Sequence, residues 1–112
     1  MTDLRIDEQE HGGAWSVTVH GDLDLSSAPD LCRRLTAHRG ARVVVDLTDV
    51  GFCDSCGMRA IMGEAREARI AGGLLVVVSP AGSAVRRLLE LCGLLETLGV
   101  HGDRDHALAA AA

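Results

Sequence analysis

The sequence predicts an α/β domain built on a mixed, mostly parallel sheet of four to five strands with about four helices. Three observations lead there. Residues 42–47 and 74–78 contain the unbroken apolar runs Val43-Val44-Val45 and Leu74-Leu75-Val76-Val77-Val78, the pattern of strands covered on both faces. Residues 15–20 instead alternate, with Trp15, Val17 and Val19 against Ser16, Thr18 and His20, as a strand with one wet face does. Between and after these runs, apolar residues recur at helical spacing, opened by Ser or Asp and closed by Gly. Strand–helix–strand units need right-handed crossovers, which make neighbouring strands parallel and place the strand at 42–47 near the centre.

In chain order, Leu4 and Ile6 alternate with Arg5 and Asp7 as a short first strand, and Gly12-Gly13 turns the chain into the second, forming a hairpin. Gly21-Asp22-Leu23-Asp24-Leu25 then leaves the sheet. Ser27 and Asp30 resemble a capping box, with Pro29 tolerated in the first turn of a helix whose stripe is Ala28, Leu31, Cys32 and Leu35 and whose stop is Gly40. After the central strand, a polar turn leads to a second helix from about Ser55 to Ile70, with Met58, Ile61, Met62 and Ala65 facing inward. Gly72-Gly73 ends it. Ser79 caps a third helix with Pro80 at its first position; Val85, Leu88, Leu89 and Cys92 face the core, and Gly93 terminates it. Leu98 to Val100 is a short last strand. Asp103 caps a final helix, whose Ala-rich end is expected to fray.

The 112 residues are read as one domain, 1–112, with a core that needs no metal or disulfide staple. A 47% apolar content with one Trp and one Phe means that aliphatic side chains fill it. The formal charge of −5 argues against non-specific nucleic-acid binding. No apolar run approaches the ~20 residues that span a membrane, and Met1-Thr2-Asp3-Leu4-Arg5 lacks the apolar centre of a signal peptide. A cytoplasmic protein with reduced cysteines is expected.

Chemistry concentrates where the central strand meets the second helix. Asp54 and Ser55 are both good N-caps, so a hydroxyl is presented at the positive end of a helix, where a phosphate is well placed. Gly57 lets another molecule approach the backbone. The same residues also suit plain helix capping. Cys53-Asp54-Ser55-Cys56 is a C-x-x-C at a strand-to-helix junction, the position of a thioredoxin-like redox pair. It lacks the Trp and Gly-Pro of that motif, and Ser79-Pro80 follows a strand where the substrate-facing proline of that fold precedes one. Core packing of Cys53 is the better account. Zinc needs about four ligands, and Cys32 and Cys92 fall on core-facing stripes of separate helices, so no metal or other cofactor is expected. His11, His20, His38, His101 and His106 show no ligand spacing, and no base near Ser55 completes a hydrolase. Arg86-Arg87 reads as a solvated helix face.

Gly21-Asp22-Leu23-Asp24 with Ser27-Ala28, and the run from Asp46 through Asp54-Ser55-Cys56-Gly57, together resemble the STAS domain, most closely the bacterial anti-sigma factor antagonists; Ser79-Pro80, Arg87-Leu88 and Gly93-Leu94 continue the resemblance along nearly the whole chain. The resemblance implies a regulatory binding module with no turnover of its own. Its unphosphorylated form would bind a serine-kinase anti-sigma factor and free a sigma factor. Phosphorylation of the serine after the motif Asp, here Ser55, would switch it off, and a serine phosphatase would reset it. The implied partner surface is Asp22, Leu23, Asp24, Asp54, Ser55, Cys56, Gly57 and Met58, without nucleic acid or membrane. Cys56 stands where the family usually has Ser or Thr, which removes a second hydroxyl. The alternative within the family is a non-switching subunit of a lipid-transport ATPase or a stress-signalling scaffold.

Overall fold

The computed structural model describes residues 4–111, and its elements run β1 (Arg5–His11), β2 (Ala14–Leu23), α1 (Ala28–Thr36), β3 (Arg42–Cys53), α2 (Ser55–Ile70), β4 (Leu74–Val78), α3 (Ala84–Leu91), β5 (Val100–His101) and α4 (Arg104–Ala111). The five strands lie side by side in chain order. β1 and β2 form the antiparallel hairpin, and β2–β3, β3–β4 and β4–β5 are parallel. The mixed, mostly parallel sheet and the central place of β3 are as the apolar runs require.

Both faces of β3 are covered, which explains its unbroken apolar start. Val43, Val45 and Leu47 join Leu31, Met58, Ile61, Val85 and Leu89 in the main core beneath α1, α2 and α3. Val44 points the other way, into a smaller cluster with Val76, Val78, Ala107 and Ala111 of α4. Ala111, in the Ala-rich end, is fully buried in this cluster against the back of the sheet, and the residue after it lies outside the described residues.

Several boundaries differ from the sequence expectation. Residues 21–23 do not leave the sheet: Gly21, Asp22 and Leu23 pair with Val50, Phe52 and Cys53, so β2 and β3 both run past the point where polar residues suggest a turn. Register shifts between Thr18 and His20 and between Gly21 and Asp22 absorb the irregularity, and Gly21 takes φ 115°, a conformation open to glycine. Ser27 makes no side-chain cap. Its hydroxyl donates to the Asp22 carbonyl at 2.8 Å, and Asp24 Oδ1 accepts from the Ser26 and Ser27 amides at 3.0 and 3.1 Å. The third helix starts at Ala84, four residues later than the expected Pro80, because Ser83 and not Ser79 is its cap, with Oγ accepting from the Arg86 amide at 3.1 Å. Ser79 is fully buried, and Arg86 reaches back over the loop to donate to its carbonyl at 2.8 Å, so Arg86 is a tether and no solvated residue. Met62 and Cys92 are exposed, since α2 turns Ala65 and Ala68 inward and α3 ends before Cys92. The last strand lies at Val100–His101, two residues beyond its expected start. No described helix is long and apolar enough to cross a membrane.

Candidate functional site at the start of the second helix

The sheet delivers β3 to the N-terminus of α2 within one residue, and that residue is Asp54. Its backbone is extended, its carboxylate accepts from the Gly57 amide at 2.9 Å, and its carbonyl accepts from the Met58 amide at 3.0 Å. Asp54 is therefore the cap, and Ser55 is the first helical residue. The Ser55 side chain forms none of the capping bonds and is exposed. An unused hydroxyl thus sits among the free amides and positive dipole end of a 16-residue helix.

The end of β2 is fixed to the same spot. The Leu23 carbonyl accepts from the Asp54 amide at 3.1 Å, and a Cβ on Gly57 would lie 2.6 Å from that carbonyl oxygen. This contact explains Gly57: the close neighbour is the chain's own β2, where the sequence suggests another molecule. Leu23 is followed by the tight Asp24 turn, whose carboxyl is held below the usual range chiefly by the Ser26 hydroxyl, with the Ser27 amide next. Two segments some thirty residues apart in sequence, Asp22-Leu23-Asp24 and Asp54-Ser55-Cys56, hence form one continuous surface.

Of the residues expected on that surface, Ser55 is exposed, and Asp22, Asp24, Asp54 and Cys56 are half-buried. Leu23, Gly57 and Met58 are buried. Close packing of α2 on β2 takes these three out of reach as direct contacts; they support the surface from below. Residues that sequence reasoning missed take their place. On one side of Ser55 an apolar groove of about 450 Å³ runs between α2 and α3, with Phe52, Met62 and Leu88 in its walls, Met58 in its floor and Arg59 beside Ser55. On the other side a shallower depression between α1 and α2 is lined by Leu25, Pro29, Cys32, Cys56 and again Arg59. Phe52 and Leu25 are 54% and 72% exposed, far more than large apolar side chains usually are. The one available signal was that the chain's single Phe sits beside Gly51, in a stretch that reads as a polar turn.

Cys53 of the C-x-x-C motif is not poised to attack as a thiolate. Burial and, secondarily, the Asp54 charge push the Cys53 thiol up to about 11, opposite to what an attacking thiolate needs. All four cysteines are free. A cleft of about 570 Å³ on the other side of the sheet is lined mainly by polar and charged residues. Several of its charged groups pair with one another: His20 bridges Asp7 at 3.1 Å and Asp49 at 2.9 Å, and buried Asp46 meets Arg104 at 3.7 Å. Among the described residues no group of three or more His, Cys, Asp or Glu is placed to hold a metal ion.

Comparison with known proteins agrees with this architecture. Residues 5–107 match the family model of the STAS domain. The chain is 26% identical over 100 residues to the anti-sigma-B factor antagonist of Bacillus subtilis, covering 88% of this chain and 91% of that one. It is 26% identical over 111 residues to the anti-sigma F factor antagonist of Paenibacillus polymyxa, covering 95% and 93%. Among solved structures, an anti-sigma factor antagonist from Mycobacterium paratuberculosis superposes with a TM-score of 0.87 at 27% identity, covering 97% of this chain and 94% of the other.

Proposed function

The chain belongs to the STAS domain family, and from that membership and the surface around Ser55 we propose that it is an anti-sigma factor antagonist switched by phosphorylation of Ser55. In this reading the chain folds as one STAS domain, works in the cytoplasm and performs no catalysis. Its unphosphorylated form binds an anti-sigma factor with serine-kinase activity through Asp22, Asp24, Asp54, Ser55 and Cys56 and the flanking apolar walls. The sigma factor is thereby released.

The observation that carries the proposal is the exposed Ser55 hydroxyl at the first position of α2, free of any capping duty and flanked by exposed apolar side chains. A kinase bound there would transfer the γ-phosphoryl group of ATP. Ser55 Oγ forms the new bond to phosphorus, the bond to ADP breaks, and the hydroxyl proton passes to a base of the kinase. The product carries about −1.5 to −2 charges at neutral pH. The positive helix end tolerates this charge, so the fold is retained. At the centre of a contact the same charge is costly to desolvate unless a cation of the partner answers it. Attachment and release therefore follow from one covalent change. A serine phosphatase that removes the phosphate completes the cycle.

The test is to incubate the purified protein with a candidate anti-sigma kinase and ATP, and to read intact mass alongside sigma-factor release. One added phosphate on the wild type, none on Ser55→Ala, and sigma release only by unmodified protein support the reading. Binding without modification points instead to a fixed STAS subunit of a transport ATPase or a signalling scaffold.

A further inference from the structure

The phosphate expected on Ser55 has an acidic neighbour that cannot move aside. The Asp54 carboxylate is held on the Gly57 amide at 2.9 Å, and the chain as a whole carries a charge of −5. A second, larger negative charge next to it calls for a cation. Most arginines are already engaged: Arg5 with Asp7, Arg33 with Asp30, Arg34 with Glu8, Arg39 with Glu64, Arg86 with Glu90 and Arg104 with Asp46. Arg42 donates to the Ala111 carbonyl. Among the described residues, Arg59, Arg66, Arg69 and Arg87 have no acidic partner, and Arg59 is the one that lies a single turn from Ser55. At i and i+4 on one helix the two side chains share a face. Both border the same apolar groove, and Arg59 also borders the depression on the other side.

We infer that Arg59 is the built-in counter-ion of the Ser55 phosphate, and that their pairing draws the guanidinium across the mouth of the groove between α2 and α3. A planar guanidinium can give two parallel N–H bonds to phosphate oxygens, while the free amides at the helix start take another oxygen. In the unmodified protein Arg59 lies free along the groove rim, and the apolar walls are open to a partner. In the phosphorylated protein the ion pair both neutralises the new charge locally and covers apolar surface that the partner needs. Modification then blocks binding sterically, in addition to the cost of desolvating the ion pair. This inference rests on the reading of Ser55 as the modified residue.

The test installs phosphoserine at position 55 by genetic encoding, so that it needs no kinase. The second ionisation of the phosphate is followed by 31P NMR against pH at low salt in the otherwise wild-type chain, in Arg59→Gln, in Arg59→Lys and in the control Arg66→Gln. Pairing with a guanidinium favours the dianion, so Arg59→Gln is expected to raise the midpoint by about 0.3–0.6 pH unit, a two- to four-fold gain in proton affinity. Arg59→Lys should recover part of the shift, Arg66→Gln should leave it unchanged, and added salt should shrink the difference. Superimposable titrations of the wild-type and Arg59→Gln phosphoproteins would overturn the inference. Failure of every candidate kinase to modify Ser55 would instead remove the switch reading, and the titration would still report on Arg59.

Discussion

Gly57 of α2 rests directly on Leu23 of β2, so closely that a Cβ at position 57 would come within 2.6 Å of the Leu23 carbonyl oxygen and 2.8 Å of its Cγ. The same carbonyl accepts from the Asp54 amide at 3.1 Å. These two contacts seat the helix start against the sheet and hold the Asp22–Asp24 segment beside Ser55. The site is positioned by backbone as much as by side chains.

The first prediction follows from that contact. In Gly57→Ala the new methyl meets backbone that is itself hydrogen-bonded, so α2 must shift. Overpacking of this kind costs about 1–3 kcal/mol, offset in part by the ~1 kcal/mol that Ala gains over Gly inside a helix. Urea unfolding should show net destabilisation, and affinity for the anti-sigma factor should fall further than stability does, because the two halves of the surface separate. Wild-type stability together with wild-type affinity would show that the seat is not needed.

A second prediction concerns the thiols. With its thiol pushed up to about 11 by burial, Cys53 has roughly a thousandth of its population as thiolate at pH 8, by the usual relation between pKa and reactivity. Iodoacetamide at that pH should label exposed Cys92 readily and leave Cys53 unmodified in the folded protein, as peptide mapping will show. Rapid labelling of Cys53, or a Cys53–Cys56 disulfide forming at cytosolic potentials, would revive a redox role.

Acid sensitivity should arise partly at the outer edge of the sheet. Glu8 of β1 is held below its ordinary value of 4.5, first by its bond to His38 and, after the opposing effect of burial, by Arg34. A carboxyl depressed in the folded state adds stability that is fully present above the unfolded value and disappears as pH falls through the folded one. The melting-temperature gap between wild type and Glu8→Gln should therefore be present near pH 5.5 and close as the pH drops below 4.5. A gap that persists unchanged to pH 3 would place the stabilisation elsewhere.

Much of this molecule was legible from residue pattern. The double-sided burial of β3 was written in Val43-Val44-Val45, and the start of α2 in Asp54-Ser55, because local capping chemistry and apolar runs have few alternative outcomes. The late part of β3 was not legible. Thr48, Asp49 and Gly51 are turn formers in isolation; Asp49 pairs with His20, while Thr48 and Gly51 fall at the register shifts, and pairing of the residues around them with β2 carries the strand on. Ser79 and Ser83 offered two caps for one helix, and tertiary burial of Ser79 decided between them. Met62 was hidden for a related reason: hydrophobic spacing reports a side chain's affinity for the interior, and α2 turns Ala65 and Ala68 inward in its place. In the sequence Arg59 is one of several helix-face arginines; it stands out only once the fold pairs most of the others with carboxylates.

The central claim is that the charge state of position 55 decides partner binding. Its most direct measurement is a calorimetric titration of wild type, Ser55→Ala and Ser55→Asp against the cognate anti-sigma factor, with the wild type repeated after kinase treatment. Ser55→Ala should bind as the unmodified wild type does and resist phosphorylation. Ser55→Asp should bind more weakly by about 1–3 kcal/mol, the scale of one charge-sensitive interfacial contact, and the phosphorylated wild type at least as weakly. Equal affinities across the set, or full phosphorylation of Ser55→Ala, would contradict the account and place the switch away from Ser55.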